Sequence, residues 1–315
     1  MKVSVAVPAR NEEQTIGSTL ESLLAQSHPP DEIVVADGGS TDATVVVASR
    51  YAKRGVRIFE IGPAYPGRAR NEAIRRCRNE WIALIDSGCV AERKWLECLI
   101  ASSMSLGAGA GIVFGEYRPR VESEWDAAQA LGFVGAPDQR TGLHPAFIAS
   151  SLISKTAWEV SGGFGEEFRA AEDHLFIRKI QTAGISVIRS PEAVVYWRLP
   201  RGPAGVFRRF RLYSAHHLAA GLFSTWHLRV MMMDGVAVVV GVASIFWPEL
   251  CFVLGGAVVA RLFRTVARRR SNIGGVHPFR PVRLLRVGVL LLVADAAMWL
   301  GALDYVLGRE PPGRL

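Results

Sequence analysis

Four short runs rich in valine and isoleucine open the chain, and each of the first three leads into a segment of helical spacing. This alternation narrows the fold more than any other feature. Val3, Val5 and Val7 alternate with small residues and stop at Pro8, after which Ile16, Leu20, Leu23 and Leu24 recur at helical spacing down to Ser27-His28-Pro29-Pro30. Residues 32–36 form a β-branched run that ends at Asp37-Gly38-Gly39, and Ser40 or Thr41 is placed to cap a helix reaching about Tyr51. A third strand is expected over 56–61, a third helix over 68–78, and a fourth strand over 81–85, closed by Asp86-Ser87-Gly88. The order βαβαβαβ predicts an α/β fold, with a mostly parallel, Rossmann-like sheet flanked by helices.

In such sheets ligands lie at the carboxyl ends of the strands, and two of those ends carry an aspartate followed closely by glycine, Asp37 and Asp86. Either alone reads equally well as turn chemistry. The pair, with an arginine-rich helix start between them, points to a phosphate-bearing ligand. Neither a GxGxxG nor a GxxxxGK[ST] motif follows a strand, so a dinucleotide fingerprint and a P-loop have no support.

Half of the 315 residues are hydrophobic, and the mean hydropathy is +0.20. At about 150 residues per domain this length suggests two units. The charge is uneven: residues 226–315 hold 11 Arg, no Lys and 5 acids, so they carry +6 of the net +8. Arginines interleaved with apolar runs are a membrane pattern, and a nucleic-acid partner is not expected. Cys77, Cys89, Cys98 and Cys251 form no CxxC pair and no zinc spacing, which fits a reduced, cytosolic domain. Met1-Lys2 is followed too soon by Arg10, Glu12 and Glu13 for a signal peptide.

Five blocks carry a resemblance. Val5-Ala6-Val7-Pro8-Ala9-Arg10-Asn11-Glu12-Glu13, then Ile33 through Asp42, then Gly67-Arg68-Ala69-Arg70-Asn71, then Ile85-Asp86-Ser87-Gly88 resemble successive motifs of family 2 glycosyltransferases. Gly162-Gly163-Phe164 with Ala171-Glu172-Asp173-His174 resembles the family's later acidic motif. The resemblance covers about residues 1–215 and implies a GT-A fold, a nucleotide-sugar donor and inversion at the anomeric carbon. It implies that Asp37, Pro8, Arg10 and Glu12 line the nucleoside pocket with Arg70 beside it. Asp86 takes the first position of a DxD motif and so implies Mg²⁺ or Mn²⁺ on the donor's diphosphate. Asp173, with Glu172 beside it, matches the general base; the same two acids also suit a helix N-terminus.

Two positions depart from the pattern. Gly88 stands at the third DxD position, and Trp197 stands where many relatives place a metal-binding histidine. Arg198 and Arg201 are candidates to supply the diphosphate with fixed positive charge, or to be arginines snorkelling near a membrane. His174 reads as a surface residue and Cys89 as a packing residue. Residues 107–152 fall where the family houses its acceptor loops.

The catalytic domain is expected over 1–225, its last part (206–225) being a basic, aromatic helix suited to the membrane interface. Residues 226–315 then form a membrane domain with three short spans, about 231–247, 249–263 and 285–307. The first of these, 17 residues long, reaches roughly 26 Å against a hydrocarbon core of about 30 Å. The alternative is a helical hairpin packed on the enzyme. Residues 262–286 hold seven Arg and no acid, which places that loop in the cytosol and the C-terminus outside. Asp295 is expected to meet a lipid head group or another helix. The expectation is a multi-pass protein of the cell (inner) membrane with its catalytic domain in the cytosol, using a nucleotide-sugar donor and a lipid-linked or glycan acceptor. The alternative is a catalytically weak nucleotide-sugar-binding membrane protein that scaffolds a partner enzyme. Nucleotidyl transfer is disfavoured, because Pro8-Ala9-Arg10-Asn11 offers no glycine-rich loop and no lysine.

Overall fold

The computed structural model describes residues 1–106, 111–136, 146–223, 227–274 and 277–309. It divides into two compact units, Met1–Arg118 with Pro137–Arg198 and Pro312–Leu315, and Pro119–Ala136 with Leu199–Pro311. The second unit begins at Leu199 and takes in 119–136, whose residues bond to its helices, whereas the sequence reading places the domain boundary near residue 225.

The first unit is built on β1 (Val3–Ala9), α1 (Ile16–Leu24), β2 (Glu32–Asp37), α2 (Thr44–Ser49), β3 (Val56–Glu60), α3 (Pro66–Arg76), β4 (Trp81–Leu84), β5 (Cys89–Ala91) and α4 (Trp95–Ser103). The chain continues through β6 (Gly111–Arg120) and, in the second unit, α5 (Glu124–Gly132). It returns through β7 (Ser151–Ser154), α6 (Lys155–Val160), α7 (Glu172–Thr182) and β8 (Ser186–Arg198). The eight strands lie in the order β3-β2-β1-β4-β7-β6-β8-β5. β1 pairs in parallel with β2 and β4, and β2 with β3, as the alternation predicts. β7 then runs antiparallel to β4 and to β6, and β5 antiparallel to β8, so the sheet is mixed.

All seven residues of β1 and all six of β2 are buried, which is why these strands read as continuous apolar runs. β1 continues one residue past Pro8. β4 pairing stops at Ala6, so the missing N–H of Pro8 leaves no gap on that side. Part of the core beneath the sheet is an aromatic stack of Phe164 on Phe176, with centroids 4.0 Å apart. The stretch 107–152, expected to be acceptor loops, contains β6, α5 and the start of β7; residues 107–110 and 137–145 lie outside the described residues.

The second unit holds α5, α8 (Gly202–Ala219), α9 (His227–Ala243), α10 (Leu250–Arg269) and α11 (Pro281–Val306). Buried positions on α11 recur at three and four: Arg283, Val287, Leu290, Ala294, Ala297, Gly301, Asp304. This face packs on α8 and α5. Ser214 donates to the Met298 carbonyl at 2.7 Å, Arg211 pairs with Asp304 at 2.5 Å, and Arg283 with Glu124 at 2.7 Å. Gly301 allows the approach to α8, since a Cβ there would lie 2.2 Å from the Arg211 carbonyl. The opposite side of α11, and most of α9 and α10, expose large apolar side chains such as Val236, Val239, Phe252, Val258, Leu285 and Leu292.

Among the described residues two helices are long and apolar enough to cross a membrane, Leu250–Ile273 and Pro281–Val306. The expected spans 249–263 and 285–307 fall on these two helices, and most of 231–247 falls on α9, a 17-residue helix. Asp295 pairs with Arg261 of α10 at 2.7 Å, so this acid meets another helix, and Trp299 donates to Asp234 of α9 at 3.0 Å.

Candidate active site

The carboxyl ends of β1, β2 and β3 are sewn together by their loops. Asn11, in the left-handed region at φ 55°, donates its N–H to the Ser40 hydroxyl at 2.8 Å and accepts from the Thr41 N–H at 2.8 Å. The Glu12 N–H donates to Thr44 Oγ1 at 2.6 Å, and Arg10 donates to the Ala64 carbonyl at 3.2 Å. Pro8 is buried in its strand and Arg10 is exposed.

Asp37, 2% exposed, accepts from the N–H groups of Gly39 (3.1 Å) and Ser40 (2.9 Å) and from the Ser40 hydroxyl (2.5 Å). The turn reading is thus realised, and the turn in turn fixes the carboxylate at the strand end. Gly39 has no substitute: it sits at φ 79°, and a Cβ would stand 2.9 Å from the Pro63 nitrogen.

The second half of the site starts at Asp86. The Thr19 hydroxyl on α1 lies 2.8 Å from both the Ser87 and the Cys89 carbonyls and holds this turn from below. Arg70 of α3, buried at 5% exposure, reaches Asp86 Oδ1 at 2.8 Å and Oδ2 at 3.1 Å through Nη2, and Glu172 Oε1 at 2.6 Å through Nη1. Burial opposes the guanidinium charge, but Asp86 and Glu172 outweigh it and raise the pKa of Arg70. Burial raises that of Glu172, assisted by neighbouring Asp173 and opposed by Arg70.

Asp173 is held below the usual carboxylate range. Burial pushes its pKa up, but the hydrogen bond and charge of His174, with Arg70 behind them, push it down further. His174 Nδ1 lies 3.0 Å from Asp173 Oδ1, and this bond raises the histidine. The residue before this pair, Ala171, adopts φ 78° at the start of α7, a backbone state that non-glycine residues rarely take.

Asn71 fixes the loop that feeds α7. Its Oδ1 accepts from the Phe164 N–H (3.0 Å) and Trp158 Nε1 (2.9 Å), and its Nδ2 donates to the Phe164 carbonyl (2.9 Å). Gly67 admits the same loop, since a Cβ there would stand 1.9 Å from the Gly165 carbonyl.

The structure thus joins Arg70, Asp86 and Glu172 directly, sets Asp173 beside Glu172 in sequence, and brings Glu12 Oε2 to 4.0 Å from where a Cβ on Gly88 would be. Arg198 ends β8 exposed, without a hydrogen bond or ion pair among the described residues, and Arg201 belongs to the second unit. Cys89 is buried, and burial pushes its thiol up, so it is a packing residue. Sequence reasoning missed Thr19 and Thr44, which act through bonds to other loops; Asn11 and Asn71 were quoted only as parts of blocks, and Ser40 only as a block residue and a helix cap. The nearest signal was their clustering around Asp37 and Asp86.

Among the described residues no three His, Cys, Asp or Glu side chains converge as a metal cluster. Both oxygens of Asp86 face the Arg70 guanidinium, which also holds Glu172.

These motifs, in this order on this sheet, coincide with a known pattern: residues 4–150 match the profile described as Glycosyl transferase family 2. Residues 4–150 are a family 2 glycosyl transferase domain. Over 93 residues the chain is 34% identical to the poly(ribitol-phosphate) beta-glucosyltransferase of Bacillus spizizenii, an alignment covering 28% of this chain and 15% of that one. Over 99 residues it is 35% identical to the putative teichuronic acid biosynthesis glycosyltransferase TuaG of Bacillus subtilis, covering 30% of this chain and 36% of that one. The matched part is thus well under half of either relative. Among solved structures, the mannosyltransferase PcManGT of Pyrobaculum calidifontis, in complex with GDP-Man and Mn²⁺, shares the fold at TM-score 0.65 and 19% identity, over 98% of this chain and 88% of that one. The glycosyl transferase domain therefore has the GT-A fold.

Proposed function

We propose that this protein is a membrane-anchored, inverting glycosyltransferase that moves a sugar from a nucleotide-sugar donor to the hydroxyl of a lipid-linked or polysaccharide acceptor at the cytosolic membrane face. The observation that carries this reading is the Arg70 guanidinium joining Asp86, at the carboxyl end of β4, to Glu172 at the head of α7, with Asp173 next in the chain. The relatives' names, teichuronic acid and poly(ribitol-phosphate) glycosylation, support a polymer acceptor.

In this reading Asp37, Pro8, Arg10 and Glu12 receive the nucleoside, and Arg70, Asp86 and Arg198 face the diphosphate. The acceptor oxygen attacks the anomeric carbon from the side opposite the diphosphate and forms the new C–O bond. The bond from that carbon to the phosphate oxygen breaks, its electron pair leaves with the nucleoside diphosphate, and the acceptor proton passes to Asp173. The lowered pKa of Asp173 keeps it ionised and ready for that proton. Glu172, held by Arg70, positions the start of α7. Mg²⁺ or Mn²⁺ arriving with the donor would find Asp86 as its protein ligand and would neutralise charge on the leaving diphosphate. The exposed apolar faces of α9, α10 and α11 support insertion in the cell membrane.

A second reading, a nucleotide-sugar-binding scaffold with weak chemistry, draws on Gly88 and on the engagement of both Asp86 oxygens by Arg70. Detergent-solubilised protein screened against UDP- and GDP-sugars separates the two. Raised thermal midpoint with slow donor hydrolysis supports the enzyme, binding with neither hydrolysis nor transfer supports the scaffold, and no binding at all overturns both.

A further inference from the structure

Beside the Asp86 turn stands a set of aromatic rings to which neither the acid–base chemistry nor the diphosphate contacts give a task. Leu84 at the end of β4 pairs with Ser151 of antiparallel β7. The chain leading into β7 therefore runs on past the carboxyl end of β4, and four residues upstream of Ser151 it carries Phe147. From the other side, Cys89, whose N–H donates to the Asp86 carbonyl at 2.9 Å, pairs with Trp197 of β8. Register thus fixes both rings next to the Asp86–Cys89 turn, at the sheet end where α/β folds bind ligands.

The rings meet through Tyr117 of β6. Its centroid lies 4.4 Å from that of Phe147 and 6.5 Å from that of Trp197, and the Phe147 and Trp197 centroids are 6.3 Å apart. Tyr117 is buried, whereas Phe147 and Trp197 are half-buried. A buried ring supporting two part-exposed ones makes a stiff apolar wall whose ordering cost is met on folding. The π-face of such a wall is electron-rich, and one face of a pyranose presents aligned C–H groups of slight positive character beside its hydroxyls. A sugar ring laid on the indole buries that face while its hydroxyls stay at the rim.

We propose that Trp197, supported by Tyr117 and Phe147, is a stacking subsite for a pyranose ring beside the Asp86 turn. The proposal rests on the glycosyl-transfer reading above and adds to it the element that recognises the sugar. Two rings have this chemistry, that of the donor and that of the acceptor.

The full chain in detergent is titrated by calorimetry with UDP, UDP-glucose, UDP-N-acetylglucosamine, GDP and GDP-mannose. It is then titrated, with UDP or GDP bound, with the methyl glycosides of the same sugars. Trp197→Leu, which keeps apolar bulk without a ring, is compared with Trp197→Phe and Phe147→Leu. If the donor ring stacks, Trp197→Leu weakens the nucleotide sugar about tenfold and leaves the bare nucleoside diphosphate unchanged, while Trp197→Phe retains most of the affinity. If the acceptor ring stacks, the same loss falls on the methyl glycoside and spares both nucleotide ligands. Trp197→Leu and Phe147→Leu proteins that melt like wild type and match it in both arms overturn the subsite alone. A wild-type chain that binds no nucleotide and no nucleotide sugar fails the glycosyl-transfer reading itself, and the subsite with it.

Discussion

At the scale of single residues, the proposed chemistry turns on two adjacent acids at the head of α7 that the fold treats differently. Glu172 is buried and paired with Arg70, and Asp173 is half-exposed and bonded to His174. Asp173→Asn should abolish transfer while nucleotide-sugar affinity stays within a few fold, because the base meets the acceptor. Single-turnover assays alongside calorimetry check this, and near-normal turnover with collapsed donor affinity would reverse the assignment. His174 gives a pH signature. Its pKa is raised in the folded chain, so the Asp173–His174 pair adds stability in full below the ordinary histidine value of about 6.5 and loses it as pH rises through the raised folded value. The difference in melting midpoint between wild type and His174→Gln should therefore shrink between pH 6 and pH 9. A difference that is constant over that range would mean that the pair carries no proton-linked stability.

At the scale of elements, the site is a meeting of helix ends and strand ends with little slack. α3 presents Arg70 and Asn71 on adjoining positions: the first reaches Asp86 and Glu172, the second holds the loop entering α7. Gly67, one turn earlier, lets that loop touch the helix backbone. Gly67→Ala would place a methyl 1.9 Å from a carbonyl oxygen, and neither backbone can yield without disturbing the other. The cost should be about 3 kcal/mol, the upper end for overpacking, with transfer lost through displacement of Glu172 and Asp173. Chemical denaturation measures it, and a variant as stable and active as wild type would show that the loop stands farther off.

At the scale of the whole molecule, the apolar helices of the second unit pair their charges with one another. Arg261 of α10 pairs with Asp295 of α11, and Asp234 of α9 accepts from Trp299. Paired in this way, the charges among the apolar helices are compatible with a lipid environment. The Arg-rich stretch 262–286 favours the cytosolic side, so α9 and α10 should cross as a hairpin and α11 should leave again. A reporter fused after Leu307 is expected to be active only outside the cytosol. Activity in the cytosol would mean that α9 lies at the surface and only α10 and α11 cross. Release of the full chain should require detergent, with high salt insufficient.

The sequence by itself determined the alternation of strand and helix, the positions of Asp37, Asp86, Arg70, Glu172 and Asp173, and the apolar character of 226–315. Each of these is written in local periodicity or in a short block, so neighbours along the chain suffice to read it. The contacts that Arg283–Glu124 and Arg211–Asp304 make between α5, α8 and α11 escaped such reading, because their partners lie far apart along the chain. The antiparallel half of the sheet escaped it too, since β7 and β5 are four and three residues long and take their direction from partners far along the chain. The bridge from Arg70 to Glu172 spans 102 positions, and the ring cluster of Tyr117, Phe147 and Trp197 joins three distant segments. Contacts of that range depend on strand register and on close approach at Gly67, and only the folded chain decides them.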